Sequence, residues 1–182
     1  KTLGQFAGGD LVAFSGHLGS DLANAIFVDV KLAYSASTEE EAKRYVHPEW
    51  VDQVLLLANQ YRDIFGKENF FIEIQAIDQE NSPAASLVVQ GLRYIAKKYN
   101  FQSVATADSH YPEKQDSGDQ LLLLCSAMKT TLRGIKKKLE ENKDVAFGGF
   151  MKSNNFHIPS PEEIQAVNQP HEIATTMQIA DM

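Results

Sequence analysis

Hydrophobic residues recur along this chain with two periods, one of strands and one of helices. Leu11-Val12-Ala13-Phe14 is a short apolar run closed by Ser15-Gly16, the pattern of a buried strand entering a loop. Asp21 to Phe27 reads as a helix with Ser20 or Asp21 as its cap. Residues 35–46 open with Ser, Thr and three Glu and predict an exposed helix, which His47-Pro48 ends because proline disfavours helix in the residue before it. Val51, Val54, Leu55, Ala58, Tyr61 and Phe65 keep helical spacing up to Gly66. Phe70 to Gln75 is aromatic and β-branched, hence a strand. Leu87, Val88, Leu92, Ile95 and Ala96 predict an amphipathic helix over 84–99, and Ser103 to Ala107 a further strand. Two helices follow over 116–128 and 130–142, then a short strand at Phe156-His157-Ile158. Ser160-Pro161-Glu162-Glu163 is a helix start with Ser as cap and Pro in the first turn, and a last helix covers about 170–181. Strands that alternate with helices predict an α/β fold with parallel strands; roughly four strands are too few to close a barrel.

Composition supports a folded chain. Of 182 residues, 43% are hydrophobic and 23% charged, enough apolar side chain for a core. The net charge of -7 argues against a broad phosphate-binding surface, which needs clustered Lys and Arg. Lys136-Lys137-Lys138 reads as a solvated helix face, because Glu140, Glu141 and Asp144 follow it. The one cysteine, Cys125, excludes an internal disulfide and reads as a small buried apolar residue of a reducing, cytoplasmic setting. No run of about 18 apolar residues is present, so no membrane span is expected. The chain opens at Lys1 without an initiator Met, which reads as a cut or processed start.

Candidate chemistry gathers where strands end. Ser103 to Ala107 leads into Asp108-Ser109-His110, and in an extended chain Asp108 and His110 point to one side. A carboxylate and an imidazole aimed at one spot suit zinc or another divalent transition metal, although a turn-capping Asp beside a satisfied His has the same spacing. Phe14-Ser15-Gly16-His17 repeats the form: apolar strand, turn, then a ligand-type side chain. Glu73 and Gln75 share one face of their strand, and a carboxylate between Ile72 and Ile74 needs a partner or an open face. His47, His157 and His171 read as structural. No P-loop, dinucleotide fingerprint, zinc-finger spacing or nucleophile elbow occurs.

Taken in order, several segments resemble the PHP domain of bacterial-type DNA polymerase III alpha subunits, and in particular its C-terminal portion. They are Leu11 to Gly19, Phe65 to Gln75, Ser103 to Tyr111, Leu121 to Leu132, Phe156 to Ile164 and Ala174 to Ala180, which together run through nearly the whole chain. The resemblance implies a single partial domain over 1–182, part of a (β/α)7-like barrel with a metal cluster at one end. The matching ligand positions are His17, Asp108 and His110, with Glu73 as outer support; the metal implied is zinc, manganese or iron. His17 stands where the family commonly has Cys, and Gln120 where it often has His. Val30 to Trp50 reads as an insertion, and a Lys-rich helix replaces an acidic loop after Lys129. The family's His-x-His pair is absent from this sequence, as is a polymerase palm.

The implied role is DNA replication, with metal-dependent phosphoesterase or 3'-5' exonuclease chemistry in an intact polymerase and none expected of this chain by itself. DNA, through the parent polymerase, and other replisome subunits are the expected partners. Open sheet edges predict self-association. Two other readings stay open: a docking module that has lost its metal site, and a stand-alone phosphoesterase.

Overall fold

The computed structural model describes residues 11–140 and 153–182. The helical continuation to 142, and the acids Glu141 and Asp144, lie outside the described residues.

Three parallel strands form one open sheet in the order β1-β2-β3. They are β1 (Ala13–Phe14), β2 (Phe70–Ile74) and β3 (Gln102–Ala105). The register places Phe14 opposite Phe71, and Glu73 opposite Val104. Phe70, Phe71, Ile72 and Ile74 are all buried, as expected of a central parallel strand covered on both faces.

Between β1 and β2 run α1 (Asp21–Asn24), α2 (Val30–Ser35), α3 (Glu39–Lys43) and α4 (Trp50–Phe65). Ser20 caps α1 by accepting from the Ala23 N–H. Gly66 ends α4 at φ 91, a backbone region that favours glycine. Then α5 (Pro83–Tyr99) returns the chain to β3. Ser82 accepts from Ala85 N–H, Pro83 occupies the first turn, and Asn100 closes α5 at φ 55. The face of α5 with Ala84, Ala85, Val88, Val89, Leu92 and Ile95 is buried, and α5 is the spine of the main core. At about 25 cal/mol per Å² of apolar surface, each fully buried Val or Ile there contributes roughly 1.5–3 kcal/mol.

After β3 come α6 (Ser117–Ala127), α7 (Leu132–Glu140), α8 (Pro161–Val167) and α9 (Pro170–Ala180). Leu124, Cys125 and Ile135 make a small second core between α6 and α7, which bears out the reading of Cys125 as buried. Helix α9 lies along β3, where Thr176 Oγ1 donates to the Ala105 carbonyl at 2.9 Å. Among the described residues no helix is long and apolar enough to cross a membrane.

Two expectations need correction. The polar stretch 35–46 is not one exposed helix. Ala36 takes an extended backbone at ψ 140 and separates α2 from α3. The short side chains around the break bind local backbone instead: Ser35 Oγ donates to Leu32 O, and Thr38 Oγ1 accepts from Glu41 N–H. Ala33, Ala36 and Ala42 are buried, and α3 packs on α5. The expected fourth strand at Phe156 to Ile158 is a single parallel bridge, His157 to Tyr111. The sheet of the described residues is thus a three-stranded open layer.

Candidate functional site

Parallel strands end on the same side, so the exits of β1, β2 and β3 share one rim of the sheet. At the β1 exit Ser15 is buried, and its Oγ accepts from the Glu73 N–H at 2.9 Å, continuing the ladder past the last strand residue. Gly16 has φ 92, and a Cβ there would stand 2.9 Å from Ser20 Cβ. The chain then turns: Ser20 N–H donates to His17 O at 2.9 Å, and Gly19 N–H donates to His17 Nδ1 at 2.8 Å. His17 is exposed.

Glu73 is half-buried on β2. Its Oε1 accepts from Thr106 Oγ1 at 2.6 Å and from Gln75 Nε2 at 3.1 Å. The carboxylate between two isoleucines therefore has partners, and Gln75 shares its face as the alternation predicts.

At the β3 exit Thr106 N–H donates to Ile74 O at 3.1 Å and extends the pairing beyond Ala105. Asp108 then takes the left-handed backbone at φ 53. The expectation of an extended Asp108–His110 segment fails at that residue; the bend, not strand alternation, brings the two side chains together. Asp108 Oδ1 and His110 Nε2 stand 3.6 Å apart with side chains 41% and 32% exposed. That separation is too long for a direct hydrogen bond. It is close to the roughly 3.3 Å between two ligands of one tetrahedral ion whose bonds are about 2.0–2.1 Å. The donor pair thus fits a divalent transition metal, but as two ligands. Among the described residues no three His, Cys, Asp or Glu side chains gather to hold an ion, so His17, Asp108 and His110 do not form one cluster.

A strap holds the Asp108–His110 bend. His110 N–H donates to Phe156 O at 2.7 Å, Ser109 Oγ to His157 O at 2.9 Å, and Ile158 N–H to Tyr111 O at 3.1 Å. The His110 ring meets Phe156 edge-on at 5.8 Å. The strap is anchored in turn at both ends. His157 is buried, with Nε2 3.0 Å from Glu163 Oε2. Glu163 also takes Lys114 Nζ at 2.7 Å and the Ser160 N–H at 2.9 Å. Lys114, then the Ser160 N–H and His157, pull the Glu163 carboxyl down to about 2. Asp78, buried after β2, accepts from Asn81 Nδ2, Ser153 Oγ and Asn155 Nδ2, which ties the strap's start to the loop beyond β2.

The remaining histidines are held structurally. Glu49 N–H donates to His47 Nδ1, and His171 Nε2 lies 3.3 Å from Ser103 Oγ. Lys136 and Lys137 are exposed on α7, as read for a solvated face. Sequence reasoning missed Ser15, Thr106 and Asp78. Thr106 was visible as a hydroxyl one residue past a strand; for Asp78 nothing local signals partners 75 and 77 positions away.

No protein-family model matches the chain. The chain is similar to DNA polymerase III alpha subunits. The one from Treponema pallidum is 31% identical over 127 residues, 68% of this chain and 10% of that protein. The one from Thermus aquaticus is 30% identical over 136 residues, 75% of this chain and 10% of that protein. The one from Aquifex aeolicus is 31% identical over 130 residues, 71% of this chain and 9% of that protein. The chain therefore spans about a tenth of the length of these relatives.

Proposed function

We propose that this chain is a PHP-type module of a replicative DNA polymerase resembling the DNA polymerase III alpha subunit, with Asp108 and His110 as metal ligands at the rim of a partial barrel. The carrying observation is the 3.6 Å Asp108–His110 pair at the exit of β3, held by the 156–158 strap. The similarity to polymerase subunits supplies the biological context, DNA replication.

Bound zinc, manganese or iron would activate water and neutralise charge on a phosphoryl oxygen, the chemistry of phosphodiester hydrolysis. The chain's own residues prepare that site. The Phe156 carbonyl holds the His110 backbone, and the left-handed turn at Asp108 aims its carboxylate at the imidazole. Glu73, through Thr106, fixes the first residue of the segment that leads to them. The intact polymerase would supply the remaining ligands, a 3'-5' exonuclease or phosphoesterase activity, and contact with DNA and other replisome subunits. Self-association is a further part of the reading, supported by β1 standing at the sheet edge with Val12 and Phe14 exposed beside it. A docking module without metal is the second reading, favoured by the presence of two donors rather than three in the described rim.

Elemental mass spectrometry of the purified protein tests the choice. Zinc, manganese or iron near one ion per chain, lost in Asp108→Ala/His110→Ala, is the expected result. Equal metal in both proteins, or none in either, sinks the assignment of these two ligands and leaves the docking module.

A further inference from the structure

We infer that Trp50, Tyr94, Lys97 and Lys98 form a platform on α5 for a short stretch of single-stranded nucleic acid, base on ring and phosphate on lysine. That the strand is DNA rests on the function proposed above; the recognition itself does not.

The platform is laid along one face of a helix. Gly91, Tyr94 and Lys98 follow one another in α5 at helical spacing, three and then four residues apart, and so share one side of it. The Trp50 ring, from the start of α4, lies over Gly91, where an added Cβ would stand 3.4 Å from its Cζ3. It meets Tyr94 with ring centroids 5.8 Å apart and planes tilted by 55°. Tyr94 in turn holds Lys98: Nζ donates to the Tyr94 hydroxyl at 2.6 Å and stands 5.0 and 5.3 Å from the centres of the Tyr94 and Tyr99 rings. The order along the face is ring, ring, cation.

Exposure and charge say what this face takes. Aromatic rings are large apolar bodies that gain most from burial. Tyr94 is nevertheless 43% exposed and Trp50 only half-buried, while Lys97 and Lys98 are exposed beside them. The chain carries a net charge of -7, yet α5 contains Arg93, Lys97 and Lys98 and no Asp or Glu. Arg93 is paired with Glu172, and among the described residues neither lysine forms an ion pair with a carboxylate. Two accessible rings next to two such cations suit a ligand with a flat π-face and an anionic group in each unit, which is a nucleotide. A duplex keeps the faces of its bases inside the stack, so the strand is single. An acidic peptide would answer the lysines and leave the rings without a partner. The platform is separate from Asp108 and His110, because α5 ends at Asn100, just before β3 begins, at the edge of the sheet opposite to the strand exits.

Trp50 is the one tryptophan of the chain, so its emission reports on the platform directly. The purified chain is titrated with a dye-labelled oligothymidylate and with an abasic oligomer of the same length. Anisotropy gives the affinity, and Trp50 emission the place. The expected result is quenching of Trp50 by oligothymidylate, with half-saturation at about 0.1 mM or below, the range of sequence-independent nucleic-acid binding. The abasic oligomer, and oligothymidylate on Tyr94→Leu, should each bind about fivefold or more weakly, the lower range of one base–aromatic stack. Tyr94→Phe keeps the ring and should quench like wild type. The logarithm of the affinity should fall with that of the salt concentration at a slope of about -1.4, roughly 0.7 for each of two phosphates, and the slope should approach zero in Lys97→Gln/Lys98→Gln. Both lysines are exposed, so that variant tests the platform without touching the core. No quenching up to about 1 mM, equal binding of the abasic oligomer, or an unchanged salt slope in the lysine variant would each overturn the inference. Preference for oligouridylate over oligothymidylate would overturn the replication context and leave the platform standing, and the metal measurement on Asp108 and His110 is independent of both.

Discussion

Arg93–Glu172 and His110–Asp108 are both pairs of a base with a carboxylate, set in opposite surroundings. Glu172 is fully buried. Arg93 Nε and a second guanidinium nitrogen reach its two oxygens at 2.8 and 2.7 Å, and the Gln169 N–H adds a bond at 2.8 Å. The guanidinium also holds Val167 O at 3.0 Å, so one side chain of α5 joins the end of α8 to the start of α9. Asp108 and His110 are 41% and 32% exposed and stand too far apart to bond each other. The first pair is complete and serves the fold. The second is held by backbone bonds and lies partly exposed at the rim. A buried charge must be satisfied within the protein, whereas a charge at the rim can wait for a ligand.

The largest effect should come from breaking the complete pair. Arg93→Ala leaves Glu172 buried and unpaired, and should lower the free energy of unfolding by about 3–5 kcal/mol in urea titration. The paired replacement Arg93→Met/Glu172→Leu should retain most of the stability, since two apolar groups leave no stranded charge. A cost of Arg93→Ala below about 1 kcal/mol would mean that water reaches Glu172 and that the contrast with the rim is false.

A smaller loss tests the turn that presents His17. Gly16→Ala places a side chain at φ 92 with its Cβ 2.9 Å from Ser20 Cβ. It should cost about 1–3 kcal/mol by the same titration. Smaller again, Ser160→Ala removes the cap of α8, whose Oγ accepts from the Glu163 N–H at 3.3 Å, and should cost about 1 kcal/mol.

The Glu163 carboxyl gives that anchor a pH dependence. Its folded-state pKa lies below the ordinary carboxylate range, at about 2, owing first to Lys114. The sign follows: the contribution is present above the ordinary carboxylate pKa and fades as pH falls towards about 2. Unfolding midpoints of wild type and Glu163→Gln should therefore converge as acid is added. Divergence would mean that Lys114 and His157 do not bind the carboxylate in solution.

The smallest effect on folding, and the sharpest on function, belongs to the rim pair. Asp108→Asn keeps the shape and the left-handed turn, so stability should stay within about 0.5 kcal/mol of wild type. Bound metal should nevertheless disappear. If stability falls as it does for Arg93→Ala, Asp108 is a fold residue and the rim is not a site.

Particular residues show how far the sequence could be read. Asp108 and His110 stood out because a carboxylate and an imidazole followed a strand, and their closeness is real. The route to it was misread: alternation assumes extended backbone, and Asp108 turns left-handed at φ 53. His157 was read as structural, and its bond to Glu163 bears that out. Ser15 passed as a turn residue, although its hydroxyl completes the β1–β2 ladder at Glu73. His17 looked like a ligand by type; the structure shows its Nδ1 accepting from the Gly19 N–H two residues on.

The helices α4, α5, α8 and α9 and the three strands were determined by the sequence itself. Apolar period, Ser82-Pro83, Gly66 and Ser160-Pro161 act within about four residues, through bonds that neighbours in the chain make whatever else surrounds them. The tertiary structure alone decided that Arg93 meets Glu172 across 79 positions, that Asp78 gathers Ser153 and Asn155, and that β2 lies between the strand leading to His17 and the strand leading to Asp108 and His110. Those outcomes depend on which strands lie side by side and which helix covers them, and so on burying one shared core; no local pattern carries that information.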